Sequence, residues 1–155
     1  MTAAIVAGAL VVAGLNAAAG LLGGWLWHDG DPAARSSSNA FWILLRLGQG
    51  SALTLAVAVG SLAAAGKDAS DQLFYLYALL PLAVGFVAEQ LRVASAQTIL
   101  DQLGLEDAQA VGGLPTEEQH AVVGAIVRRE IGVMALSALV VVFLALRAAG
   151  TAHGF

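Results

Sequence analysis

Four long apolar runs divide the chain, at residues 2–27, 40–65, 73–88 and 131–149, and nearly every charge falls between them or at their ends. Each run is close to the ~17–25 residues that a helix needs to cross a hydrocarbon core. The first contains no charged residue. The pattern predicts an all-α, integral membrane four-helix bundle. Its helices should cover about 2–27, 40–65, 71–103 and 117–149, within a single transmembrane domain spanning 1–155.

The connections carry the turn signals. In the first, HDGDPAARSSSN, Gly30, Pro32 and the serine run oppose a continuing helix, and Ser38 or Asn39 is placed to cap the next one. The second, GKDAS, is short, so helices two and three should be antiparallel neighbours. Ser70 is placed to cap helix three, with Asp71 against its positive dipole end.

The third connection, about 89–130, is too polar for lipid yet keeps a helical period. Val93, Ala96, Leu100 and Leu103 recur at three- and four-residue spacing, with Ser95, Thr98, Asp101 and Gln102 largely opposite. Gly104 reads as a stop and Gly112, Gly113 and Pro115 as a turn. Thr116-x-x-Gln119 has a capping-box pattern that restarts a helix whose apolar side is Val122, Val123, Ile126 and Val127. Helices three and four are therefore expected to extend beyond the bilayer as an antiparallel helical hairpin. A loose amphipathic loop on the membrane surface is the alternative.

Composition agrees with a membrane chain: 59% of residues are hydrophobic and 12% charged, against about 25% charged in a typical soluble domain. The mean hydropathy is +0.80. A net charge of −4 argues against nucleic-acid binding. The chain has no cysteine, which excludes a CxxC redox motif, a disulfide and a thiolate metal site. No Lys or Arg precedes Arg35, so the first run lacks the basic flank of a signal peptide, and it is longer than the usual ~7–15-residue apolar core. It is expected to be a retained first span; cleavage near residues 17–19 is the alternative.

The basic residues set an expected orientation. Arg35, Arg46, Arg92, Arg128 and Arg129 lie at or near the end with the first and third connections, whereas Lys67 and Arg147 lie near the other. Five against two places the first end in the cytoplasm and both termini outside, in a multi-pass protein of an inner (plasma) membrane.

Small residues recur every four positions on helix two, at Gly48, Ala52, Ala56, Gly60 and Ala64. Helix one has a similar row at Ala4, Gly8, Asn16, Gly20 and Gly24, interrupted by Val12. Such rows let backbones approach closely within a membrane, inside one chain or between copies. Asn16, mid-span, needs a hydrogen-bond partner, expected on a neighbouring helix. Pro81 removes a backbone hydrogen bond from helix three and is expected to kink it, with Gly85 one turn on adding freedom.

The constellation with chemical potential is a polar layer at the basic end: Arg46 and Gln49 on helix two, Glu89, Gln90 and Arg92 on helix three, and Arg128, Arg129 and Glu130 on helix four. Guanidinium forks match phosphates and carboxylates. The layer could bind anionic lipid headgroups or a partner subunit, take a small anionic ligand, or only set topology. Glu89 has possible partners in Arg92 (i,i+3), Arg46, Arg128 and Arg129. His28, His120 and His153 lie outside the apolar runs, which disfavours a haem inside the bundle, and no HExxH, P-loop or GxSxG pattern occurs. No cofactor or catalytic set is expected. Trp25, Trp27 and Trp42 at one end, and Tyr75 and Tyr77 at the other, read as interfacial anchors.

The segments FWILLRLGQGSALTLAVAVG, LYALLPLAVGFVAEQLRVASAQ and AIVRREIGVMALSALVVVFLALRAAG resemble uncharacterised small four-helix integral membrane proteins of actinobacteria. That resemblance implies four helices and a bacterial membrane, and it implies no activity. In size and helix count the chain is also similar to the membrane-associated eicosanoid and glutathione metabolism family. Of that family's helix-two Arg/Asn/Glu pattern, only Arg46 and Gln49 find a loose match. The expected function is a non-enzymatic membrane component, a homo-oligomer or an accessory subunit of a complex. A small-molecule or anion transporter, or a membrane enzyme binding an anionic ligand at the same layer, is the alternative.

Overall fold

The computed structural model describes residues 2–28 and 35–153. Its elements are α1 (Thr2–His28), α2 (Arg35–Ala64), α3 (Leu73–Leu103), α4 (Ala108–Gly112) and α5 (Thr116–Thr151), with no strand among the described residues. All but α4 are long and apolar enough to cross a membrane. The fold is an all-α membrane helical bundle. Its outward faces are apolar: Leu21, Phe86 and Phe143 are each more than 60% exposed. A soluble monomer rarely exposes large apolar patches, whereas hydrocarbon solvates such a face without penalty.

The helix α5 is the centre of the assembly. It packs extensively on α1 and α3, whereas α2 rests mainly on α1 and touches α3 and α5 far less. The interior forms two clusters. One, toward the termini, gathers Ile5, Val12, Leu55, Val59, Phe74 and Val141 among others; the second, toward the basic end, gathers Leu26, Phe41, Leu45, Ala88, Ile131 and Met134 among others. The start of α1, the end of α5 and the α2–α3 connection share one end of the bundle. There the Ser70 amide donates to the His153 carbonyl at 2.9 Å and the Ser70 hydroxyl donates to the same oxygen at 3.0 Å.

Small residues determine how closely the helices approach. Gly48, Ala52 and Ala56 of the α2 row are buried, but Gly60 and Ala64 are exposed, so only the first half of that row is an internal seam. A Cβ at Gly23 would lie 2.5 Å from Phe41 Cε2 and 2.8 Å from Ala135 Cβ, which makes Gly23 the point where α1, α2 and α5 converge. At Gly48 a Cβ would lie 2.8 Å from Asn16 Nδ2.

Several expectations are corrected at helix ends. The helix α2 begins at Arg35, so Ser38 and Asn39 lie inside it and do not cap it; Gly30 and Pro32 lie outside the described residues. Helix α3 begins at Leu73, where Asp71 Oδ1 accepts from the Leu73 amide at 2.9 Å. Ser70 is diverted to His153. Thr116 is the first residue of α5, not its cap. The Gln119 side chain reaches back to the Leu114 carbonyl (2.8 Å) instead of forming a capping box. Asn16 finds its partner within its own helix: Nδ2 donates to the Val12 carbonyl at 2.9 Å. Gly48 of α2 gives the Asn16 amide its space, and the Gly48 carbonyl accepts instead from the Ser51 hydroxyl at 2.8 Å. Helix α3 runs through Pro81 as a single helix, with the proline ring buried.

The hairpin is formed, and the short helix α4, which the sequence pattern does not signal, closes it. Gly104 ends α3 in the left-handed region (φ 68°), and the Leu105 amide bonds the Leu100 carbonyl at 2.9 Å, completing a Schellman turn. Asp107 then caps α4 by accepting from the Gln109 and Ala110 amides. Leu100 and Val122 are buried where the two arms meet. The apolar face of the α3 arm is rotated from its expected position: Val93 and Leu103 are exposed and Ser95 is buried, its hydroxyl bonded to the Leu91 carbonyl at 2.9 Å. On α5, Val123 is likewise exposed.

Candidate functional site

The polar layer divides in two. Arg46, Gln49, Glu89, Arg92 and Glu130 form one connected group. Glu89 is its hub, because one turn of α3 aims its carboxylate between α2 and the next turn of α3. Arg46 Nη1 donates to Glu89 Oε1 and, at 2.7 Å, to Gln49 Oε1; Gln49 Nε2 in turn approaches Glu89 Oε1 at 3.3 Å. Arg92 Nε donates to Glu89 Oε2 at 2.9 Å. Arg92 also faces Glu130 across the bundle, with Nη1 3.9 Å from Oε2. Its guanidinium lies 5.5 Å from the centroid of the Trp42 ring, a cation–π distance. Trp42 itself packs edge-on against buried Phe41.

This group ties α2, α3 and α5 together. Its two arginines and two carboxylates neutralise each other, so it has no net charge to offer an ion. The Glu89 carboxylate also excludes an anion from its immediate surroundings. Its charged side chains are between 22% and 52% exposed, which places it at a wet boundary and not in a dry core.

Arg128 and Arg129 are not part of that group. Both are exposed on α5 and line a separate groove bounded by α1, α3 and α5, with a volume of about 830 Å³. His28 and Trp27 of α1 and Ile99 of α3 also line it. Its deeper walls are glycine and aliphatic: Gly20, Gly24, Gly132, Leu136 and Leu139. Trp27, expected as an interfacial anchor, is a wall of this groove, and His28, for which the sequence suggests no role, stands beside it. The available signal was the pairing of Gly20 and Gly24 on one face of α1 with the arginines at the same end of α5.

A second cavity, about 250 Å³, lies between the two interior clusters. It is lined by Asn16, Gln49, Glu89 and Ser137 among apolar walls that include Pro81, Gly85 and Phe86. No group of three or more His, Cys, Asp or Glu placed to hold a metal occurs among the described residues. The chain matches no protein-family model, no curated protein and no solved structure.

Proposed function

We propose that the protein is a non-enzymatic component of a bacterial inner membrane that binds anionic lipid headgroups at the basic end of its bundle, as a homo-oligomer or as an accessory subunit of a larger complex. The observation that carries this reading is the division of the polar layer. Arg46 and Arg92 meet Glu89, and Arg92 faces Glu130, in one group; Arg128 and Arg129 line a second, apolar groove at the same end. Guanidinium groups at a headgroup boundary favour phosphate, with about 1 kcal/mol of attraction per basic residue at an anionic leaflet. The excess of basic residues at this end supports a cytoplasmic orientation.

The 250 Å³ cavity favours a small-molecule reading in second place, since Asn16, Gln49, Glu89 and Ser137 give it a polar side. Toward the termini the apolar cluster of Val12, Ala52, Leu55 and Val141 closes beyond it, so no polar path continues in that direction among the described residues.

Native mass spectrometry of a gentle membrane extract tests the primary reading. The expected spectrum shows an oligomer or a stable complex that retains anionic phospholipid, and Arg128→Gln/Arg129→Gln strips the lipid. A monomer that retains no lipid, or whose lipid is indifferent to both arginines, refutes it.

A further inference from the structure

We infer that the groove between α1, α3 and α5 seats one acyl chain of a single anionic phospholipid, whose phosphate lies at Arg128 and Arg129. This rests on the anionic-lipid function proposed above and adds to it a built site with a chain-binding floor.

The groove has the polarity of a lipid molecule. Arg128, Arg129 and His28 are at one end, and Leu136 and Leu139 are at the other. From Arg128 to Leu139 is eleven residues of α5, or about 16 Å at 1.5 Å per residue. Half of a ~30 Å hydrocarbon core is about 15 Å. The groove is thus as deep as the chains of one leaflet, with its charged end where that leaflet's phosphates lie.

Glycines make the space. A Cβ at Gly20 would lie 2.6 Å from Leu139 Cδ2, and one at Gly132 would lie 2.8 Å from Trp27 Cδ1. These two positions bring Leu139 and the Trp27 ring in as walls. Gly24 lines the same groove, and a Cβ there would meet nothing within 4 Å. Among the described residues, nothing fills the floor at Gly24. Hydrocarbon chains gain no hydrophobic driving force by moving from lipid to protein. Selectivity accordingly comes from the guanidinium–phosphate contacts, and the groove contributes shape and orientation.

The experiment reconstitutes the full chain in bilayers of phosphatidylglycerol and phosphatidylcholine, then measures by native mass spectrometry which lipid survives collisional activation. The variants are Arg128→Gln/Arg129→Gln, Gly24→Leu, Leu136→Trp and Gly14→Leu. Gly24→Leu fills the floor without touching the charge. Leu136→Trp narrows the groove from a side chain that is 66% exposed, so folding is not at stake. Gly14→Leu makes the same change as Gly24→Leu at an exposed position of α1 outside the groove, with nothing within 4 Å. The wild type should retain one phosphatidylglycerol. Each arginine should contribute about fivefold to the preference. Gly24→Leu and Leu136→Trp should lose the retained lipid, whereas Gly14→Leu should keep it. Millimolar inorganic phosphate should not displace it.

Retention in both groove variants, with the arginines still required, would overturn the chain seat and leave headgroup binding standing. Displacement by inorganic phosphate would overturn it in favour of a free-anion site. Absence of any phosphatidylglycerol preference in the wild type would overturn both readings.

Discussion

Replacing the Glu89 carboxylate should loosen the bundle more than replacing either single arginine bonded to it. In the native arrangement Glu89 accepts from Arg46, Gln49 and Arg92. Glu89→Gln keeps the shape but leaves the Arg46 and Arg92 guanidiniums facing each other across the α2–α3 gap, with Glu130 3.9 Å from Arg92 as the remaining acid. Exposed ion pairs contribute about 0.2–1 kcal/mol, and breaking a fully buried pair costs about 3–5 kcal/mol. The Glu89 side chain is 25% exposed and the Arg46 and Arg92 side chains 52% and 30%. The expected losses therefore lie toward the lower bound: about 1–2 kcal/mol for Glu89→Gln and about 0.5–1 kcal/mol for Arg46→Ala. The double variant should lose less than the sum, with a coupling of about 0.5–1 kcal/mol. Thermal unfolding in one detergent or nanodisc measures all three; each kcal/mol should appear as roughly 2–4 °C for a chain of this size. Additivity within about 0.3 kcal/mol, or Arg46→Ala proving worse than Glu89→Gln, would show that lipid phosphates neutralise the arginines separately. The closed network would then play no part in holding α2 to α3.

The glycine contacts predict an ordered series. Gly23→Ala should cost about 1–3 kcal/mol by overpacking, because its methyl would press on Phe41 and Ala135, whereas Gly14→Ala, with no neighbour within 4 Å, should be neutral or stabilising by up to about 0.5–1 kcal/mol; the same thermal assay ranks them, and equal effects would refute the packing account. Gly104→Ala should destabilise the hairpin, since its φ of 68° is strained for an alanine; faster proteolysis between α3 and α5, with the bundle's unfolding midpoint unchanged, is the expected result. For orientation, His153→Cys should react with an impermeant thiol reagent in intact cells and Gly113→Cys should not; the reverse pattern would invert the proposed topology.

The membrane class and the four spans were legible in the sequence because they depend on one-dimensional quantities. Lipid requires a helix of a minimum apolar length, and charges are expelled to its ends wherever the neighbours happen to be. The stop at Gly104 was legible for a similar reason, as a local backbone requirement. Helix starts were less so. Ser70, Thr116 and Asn39 all have capping chemistry, yet the first is diverted to His153, the second begins α5 without capping it, and the third is inside α2. A hydroxyl or amide competes for whichever donor or acceptor the fold brings near, and sequence spacing does not record that competition.

The polar layer shows the same division between chain and fold. Its members could be read from the sequence, since each is a charged or amide side chain near the end of an apolar run. Which of them meet could not. Arg46 and Glu89 are 43 residues apart and become neighbours only when α2 packs beside α3; Glu130 joins through Arg92 only because α5 crosses behind it. Arg128 and Arg129 directly precede Glu130, yet they line a different groove, because successive residues on a helix point about 100° apart. Sequence alone determined that this chain lives in a bilayer and where its charges lie along the membrane normal. Only the tertiary structure decided which charges meet around Glu89 and which line the groove between α1, α3 and α5, because that depends on the rotation of each helix about its own axis.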